Sequence, residues 1–133
     1  MKSLLILGAG GFGHMIKETA QALGYEEIVF LDDMVKEDDV IGMCCDYVIK
    51  HEEYSVAVAA FGNNKTRLFW TDKLLEEGYE VPAIVHPSAV VSPSVTLEPG
   101  CFIMQRSVVN TNTKIERAAL VNSGAVVDHN SVV

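Results

Sequence analysis

Every sixth residue from Val85 to Val133 is a branched aliphatic: Val85, Val91, Leu97, Ile103, Val109, Ile115, Val121, Val127 and Val133. A second row lies four places after each of the first eight, at Ala89, Val95, Cys101, Ser107, Thr113, Ala119, Ala125 and Ser131, and every member is small. A fixed short period constrains architecture more than any single residue, because each repeat buries its apolar face only against copies of itself. A coil with three short strands per turn explains both rows. The aliphatic side chain fills the interior of a three-sided prism, and the small one fits inside each corner. A sandwich of short strands would need period-two alternation and tight hairpin turns such as Asn-Gly, and this stretch has neither.

The first 84 residues have a different rhythm. Ser3 to Leu7 is a short apolar run that ends in Gly8-Ala9-Gly10-Gly11-Phe12-Gly13, after which Met15, Ile16, Thr19, Ala20 and Leu23 keep helical spacing up to Gly24. Glu27 to Leu31 is a second strand closed by Asp32-Asp33, and Ser55 to Phe61 a third closed by Gly62. An amphipathic helix from about Thr66 to Glu77 leads through Gly78 to a last short strand before Pro82. The acidic stretch from Met34 to Glu53 reads as loops around a short strand near Tyr47 to Ile49. Strands alternating with helices predict a small parallel sheet with helices on its faces. The opening apolar run breaks on Gly8 and Gly10 and has no cleavage-site pattern, so it is a buried strand rather than a secretory signal.

A formal net charge of −8 disfavours a role on nucleic acid or on an anionic membrane, since both need a basic surface to neutralise phosphates. Three cysteines, two of them adjacent as Cys44 and Cys45, form neither an even disulfide framework nor a spaced set of metal ligands. Free thiols in a reducing cytoplasm follow, with no metal site.

The turn from Gly8 to Gly13 fits G-x-G-x-x-G between a strand and a helix, where absent side chains let backbone N–H groups and the helix N-terminus approach a phosphate. Gly8, Gly10, Gly11, Phe12 and Gly13 are therefore candidate ligand contacts. Asp32 and Asp33, at the end of the second strand, sit where a ribose or base would be read. A dinucleotide site needs a second mononucleotide-binding half, and this chain turns into hexads instead, so a nucleoside diphosphate attached to a second group is favoured over NAD. Gly62, Asn63 and Asn64 follow the third strand at the same edge of the sheet, with Asn64 either a helix N-cap or a ligand contact. Among the histidines, His14 and His51 carry no motif and His86 precedes Pro87 at the entrance to the coil. His129 stands two places after the interior Val127, at a corner, between Asp128 and Asn130.

Taken in order, Ile6 to Gly13, Phe30-Leu31-Asp32-Asp33, Gly62-Asn63-Asn64 with Arg67, Val85-His86-Pro87-Ser88-Ala89, and Val121 to His129 resemble the bacterial PglD and NeuD type of acetyltransferases. The resemblance implies a Rossmann-like nucleotide-sugar-binding domain over 1–84 and a left-handed parallel β-helix of hexapeptide repeats over 85–133, stopping after fewer than three coils. It implies acetyl-CoA as co-substrate, a nucleotide-activated amino sugar or sialic acid as acceptor, and a cytoplasmic homotrimer with acetyl-CoA bound between subunits and no membrane insertion. His129 stands where the family has its general base, a task suited to a group that titrates near neutral pH. Asn122 is expected to face the reacting groups. Asn130 replaces the family's usual acidic residue, and an amide can orient the ring but not neutralise it. The alternative is a non-catalytic nucleotide-sugar-binding module without the acyl-donor half. Outward positions of the coil are unequal too. One face carries Ile84, Phe102, Met104 and Leu120, the next Val90, Val108 and Val126, and the third Thr96, Glu98, Lys114 and Glu116. The two apolar faces are expected to be covered and the third to meet water.

Overall fold

The computed structural model describes residues 2–133, which divide into two units on either side of the step from Pro82 to Ala83. In the first, strand β1 (Ser3–Leu7) supplies four consecutive buried aliphatics, Leu4 to Leu7. An all-apolar strand is stable only when both faces are covered, which is the condition of a central parallel strand. β1 pairs in parallel with β2 (Glu27–Leu31) on one side and with β4 (Ala57–Ala59) on the other, and β3 (Val40–Gly42) adds outside β2. The strand order is thus 3-2-1-4. Strand order reverses between β1 and β4, and in open α/β sheets ligands bind at the carboxyl ends of the strands flanking such a reversal.

Helix α1 (Gly11–Ala22) buries Gly13, Ile16, Thr19 and Ala20, one face at helical spacing, and ends beside Gly24 at φ 93°. Helix α3 (Asn64–Glu77) buries Arg67, Thr71 and Leu74 and is closed by Gly78, whose φ of 96° lets its N–H reach the carbonyls of Leu74 and Leu75. Its N-cap is Asn63, whose Oδ1 accepts from the Thr66 N–H at 3.0 Å, so of the two readings of Asn64, cap or ligand contact, the cap falls one residue earlier. The acidic segment differs from its sequence reading. Its strand is β3, and Tyr47–Lys50 is a single helical turn, α2, preceded by a 3-10 turn at Cys44–Asp46. The Asp46 carboxylate accepts the Met43 N–H at 2.8 Å and favours helical geometry there over the strand that Tyr47 to Ile49 suggest by composition. The strand expected from Ser55 to Phe61 shortens to Ala57–Ala59, and that expected before Pro82 reduces to one bridge between Val56 and Glu80.

The second unit is a three-sided coil of two-residue parallel strands. β5 (Ile84–Val85), β8 (Phe102–Ile103) and β11 (Leu120–Val121) stack on one side; β6 (Val90–Val91), β9 (Val108–Val109) and β12 (Val126–Val127) on the next; β7 (Thr96–Leu97) and β10 (Lys114–Ile115) on the third, which a bridge from Lys114 to Val132 extends. Cys101, Ile103, Val109, Ile115 and Val121 form its buried core, with Val85, Val91, Leu97 and Val127 packed against them. Small-row hydroxyls are satisfied inside: Ser107 Oγ donates to the Met104 carbonyl at 2.6 Å and Thr113 Oγ1 to the Asp128 carbonyl at 2.9 Å. Of the outward positions, Ile84, Phe102 and Met104 are buried, while Val90 and Val126 are exposed. On the third face Lys114 Nζ and Glu98 pair at 3.2 Å in solvent. Among the described residues no helix is long and apolar enough to cross a membrane.

Candidate functional site

The glycines after β1 fall into two kinds. At Gly13 an added Cβ would stand 1.9 Å from the Gly8 carbonyl oxygen, and at Gly8, with φ 101°, it would stand 2.7 Å from the Ala60 carbonyl oxygen. These two let helix, turn and β4 close on one another. At Gly10 and Gly11 an added Cβ would meet nothing within 4 Å, and the same holds at Gly62. Packing therefore does not account for these three, which leave the backbone open to an approaching group. Gly10 is the N-cap of α1 and supplies no side-chain cap, so the positive end of a twelve-residue helix opens onto the turn.

Asp32 stitches this turn to the end of β2. Its Oδ2 accepts the Ala9 N–H at 2.8 Å and its Oδ1 accepts the N–H groups of Met34 and Val35 at the same distance. Desolvation pushes its carboxyl up, but the backbone donors of Val35, Ala9 and Met34 outweigh that and hold it below the usual carboxylate range. Asp33 Oδ1 accepts the Cys44 N–H at 2.9 Å. Both aspartates thus order the loops at the sheet's carboxyl edge, contacts that the sequence did not disclose. A cleft of about 380 Å³ opens there, lined by Asp32, Val35, Lys36, Glu37, Asp38, Val40, Gly42 and Met43. The loop that forms it is fastened to α1 by His14 Nε2 to Glu37 at 3.1 Å and Lys17 Nζ to Asp39 at 2.8 Å. His14, which belongs to no motif, therefore has a structural contact. Its spacing with Lys17 on one helix face, opposite an acidic run, was the available signal.

The turn after β4 is held from beneath by Arg67, whose residue is 3% exposed. Its Nη1 donates to the carbonyls of Phe61 and Gly62 at 2.9 and 3.3 Å, and its Nη2 to Asn64 Oδ1 at 2.7 Å. Desolvation lowers its pKa. Asn63 and Asn64 accordingly spend side-chain oxygens on the cap and on the guanidinium, while Gly62 stays open. Gly8, Gly10, Gly11, Gly13, Asp32 and the Gly62 to Asn64 turn all gather at the ends of β1, β2 and β4.

In the second unit His129 stands at an exposed corner, its side chain 69% accessible. Its Nδ1 lies 2.8 Å from Asn130 Oδ1, its N–H donates to Asp128 Oδ1 at 2.8 Å, and that same oxygen is 3.9 Å from Nε2. Asn122, expected beside it, uses its Oδ1 to accept the Ser123 N–H. His86 Nδ1 accepts the Ser88 N–H at 3.0 Å, which closes the turn at the entrance to the coil. Among the described residues no group of histidine, cysteine or carboxylate side chains is arranged to hold a metal ion.

Residues 3–74 match the family model of the PglD N-terminal domain. Three solved structures resemble the chain over nearly all its length. The acetyltransferase domain of PglB from Neisseria gonorrhoeae, in complex with acetyl coenzyme A, is 35% identical with a TM-score of 0.94 over 98% of this chain and 66% of that one. PerB from Caulobacter crescentus, in complex with CoA and GDP-perosamine, is 33% identical with a TM-score of 0.87 over 97% and 64%. A histidine-to-asparagine variant of perosamine N-acetyltransferase from the same organism, with the same two ligands, is 30% identical with a TM-score of 0.91 over 97% and 64%. The chain spans 64 to 66% of the length of these structures.

Proposed function

This chain belongs to the PglD family, and we propose that it is part of an acetyl-CoA-dependent acetyltransferase whose acceptor is an amino sugar carried on a nucleoside diphosphate. The observation that carries this reading is the likeness, over nearly all of this chain, to structures that hold acetyl-CoA, or CoA with GDP-perosamine. The residues here supply matching chemistry. The first unit is Rossmann-like, its 3-2-1-4 order putting the open glycine turn at the reversal of strand order. The Gly8 and Ala9 N–H groups are spent on the Leu31 carbonyl and Asp32, so within the Gly8 to Gly13 turn the open backbone from Gly10 onward and the start of α1 hold the pyrophosphate, with the Gly62 to Asn64 turn as the second wall. Asp32 and Asp33 shape the nucleoside side through the loops they order. The hexad coil is a left-handed β-helix, and it offers its surface to the pantetheine arm of acetyl-CoA between subunits of a homotrimer.

His129 is the general base. Its Nε2 takes a proton from the sugar amine as the nitrogen attacks the thioester carbonyl. The new C–N bond forms, the C–S bond breaks, and the departing thiolate of CoA takes up a proton. Asn122 and Asn130 flank the reacting groups. Calorimetry on this chain tests the first half of the reading: a nucleoside diphosphate amino sugar binds and NAD does not. Tight binding of NAD with no response to any nucleotide sugar overturns it. A full-length protein that binds the nucleotide sugar but never releases CoA from acetyl-CoA is instead a binding module.

A further inference from the structure

Arg67 is a buried cation placed under a surface turn. It lies on α3, is 3% exposed, and has lost most of its water to packing, an unfavourable state for a guanidinium unless its donors are taken up. Nη1 donates to the Phe61 and Gly62 carbonyls at 2.9 and 3.3 Å, and Nη2 to Asn64 Oδ1 at 2.7 Å. All three oxygens belong to the residues that join β4 to α3. Helix capping does not call for this arrangement, because Asn63 already accepts the Thr66 N–H at 3.0 Å.

The consequence lies on the other side of the two peptide units. The described residues contain no cis peptide bond, and in a trans peptide the carbonyl and the following N–H point in opposite directions. Arg67 is beneath the turn and residues 62 to 64 are exposed. Carbonyls of Phe61 and Gly62 drawn down onto the guanidinium therefore turn the N–H groups of Gly62 and Asn63 outward. Neither N–H has an acceptor among the described residues. A carbonyl bonded to a cation also makes the N–H of its own peptide a stronger donor, since chained hydrogen bonds polarise one another. Adjacent N–H groups aimed to one side attract anions, and the start of α3 adds the positive end of a fourteen-residue helix. The turn stands beside the glycine turn after β1. The Ala60 N–H donates to the Leu7 carbonyl at 2.8 Å, and a Cβ at Gly8 would stand 3.2 Å from the Phe61 ring. At Gly62 an added Cβ would meet nothing within 4 Å, so the outward side is open.

We infer that Arg67 is a positioning residue for the nucleotide: by holding the Phe61 and Gly62 carbonyls it presents the Gly62 and Asn63 N–H groups as paired donors to a phosphate of the diphosphate. This rests on the reading that a nucleoside diphosphate sugar binds at this edge of the sheet. Arg67 acts through the backbone and does not touch the ligand. Lysine is no substitute, because a single ammonium lacks the planar fork that serves two carbonyls and a side-chain amide at once.

The test is titration of the 15N-labelled chain with GDP and with UDP, followed at individual backbone amides, with affinity measured by calorimetry. Binding moves the amide protons of Gly62 and Asn63 downfield, as it does those of Gly10 and Gly11. In Arg67→Lys affinity falls at least about tenfold, and the Gly62 and Asn63 shifts shrink while those of Gly10 and Gly11 persist. A general loss of structure would reduce all four. If Arg67→Lys does not fold, Asn64→Ala frees Nη2 at the exposed end of the fork, and the same two shifts diminish. Asn63→Pro deletes one donor at a residue whose φ of −72° suits proline, and weakens binding about tenfold more than Asn63→Ala, which gives up the same helix cap. Binding without movement of the Gly62 and Asn63 amides, shifts undiminished in the folded fork variant, or equal affinities of Asn63→Pro and Asn63→Ala overturn the inference. If neither GDP nor UDP binds the unmodified chain, the nucleotide-sugar reading itself falls and the inference falls with it.

Discussion

Substitution of single glycines in the turn after β1 separates packing from ligand approach, because the two kinds of glycine make opposite predictions for stability. In Gly13→Ala the new methyl would stand 1.9 Å from the Gly8 carbonyl oxygen, whereas Cβ atoms do not approach below 3.0 Å. The obstacle is backbone on β1's own turn, so α1 must retreat by about 1 Å, at an overpacking cost of about 3 kcal/mol. Alanine recovers about 1 kcal/mol through its better helix propensity. The net loss is about 2 kcal/mol, or a fall of about 1 to 2 M in the urea midpoint of a domain this small. Trp70, the single tryptophan, lies in α3 of the same unit and reports the transition by fluorescence. In Gly11→Ala the methyl meets nothing within 4 Å at the first position of α1, so the midpoint holds or rises. Binding of a nucleotide sugar should nevertheless weaken at least about tenfold, the equivalent of one lost hydrogen bond to the pyrophosphate. A Gly13→Ala midpoint equal to that of the parent refutes the close packing of helix on turn. Unchanged affinity in Gly11→Ala refutes the claim that the open glycines exist for the ligand.

Ile115→Ala empties a fully buried position of the coil and should cost about 2 to 5 kcal/mol, read as a lowered urea midpoint by circular dichroism, and an unchanged midpoint would contradict the packing of the coil interior. Asp32, whose carboxyl is held below its ordinary value, contributes stability that is fully present above the unfolded value of about pH 4 and is lost as pH falls through the lower folded value. Asp32→Asn should remove that part of the acid dependence, and an unaltered acid-unfolding curve would contradict the hydrogen bonds assigned to it. Burial, reinforced by Asp33 and Asp32, pushes the Cys44 thiol up to about 12, and burial pushes Cys101 up to about 12, while Cys45 is exposed. Iodoacetamide at about pH 8 should therefore add one label to the native chain and three after denaturation, counted by mass spectrometry.

What the sequence disclosed follows from how often a constraint is repeated. The aliphatic and small rows of the coil were legible because the same packing problem recurs at every strand, and the buried cluster around Ile103, Val109 and Ile115 is its solution. The left-handed corners at Gly100, Arg106, Asn112, Ala118, Gly124 and Asn130, with φ between 57 and 73°, were hidden because the corner imposes that backbone and accepts unlike residues. Arg106 and Ala118 adopt it as fully as Gly100 does, and nothing in their chemistry announces it. In the first unit the glycine turn and the ends of α1 and α3 were readable from Gly24 and Gly78. The short β3 was not, since Val40–Gly42 is half-buried and lacks an alternating pattern. For the candidate site, composition placed Gly8 to Gly13, Asp32 and Gly62 at one edge of a sheet. It could not disclose that Asp32 bonds the Ala9 N–H, or that Arg67 props the Phe61 and Gly62 carbonyls, because both contacts join distant turns through tertiary structure.

The proposed function is tested most directly by acetyl transfer in the full-length protein, followed as release of the CoA thiol from acetyl-CoA with and without a nucleoside diphosphate amino sugar. Release is expected only when the sugar nucleotide is present, with a rate lowered by about a hundredfold or more in His129→Ala, as the loss of a general base requires. Release that does not depend on the sugar nucleotide, or an undiminished rate in His129→Ala, would contradict it.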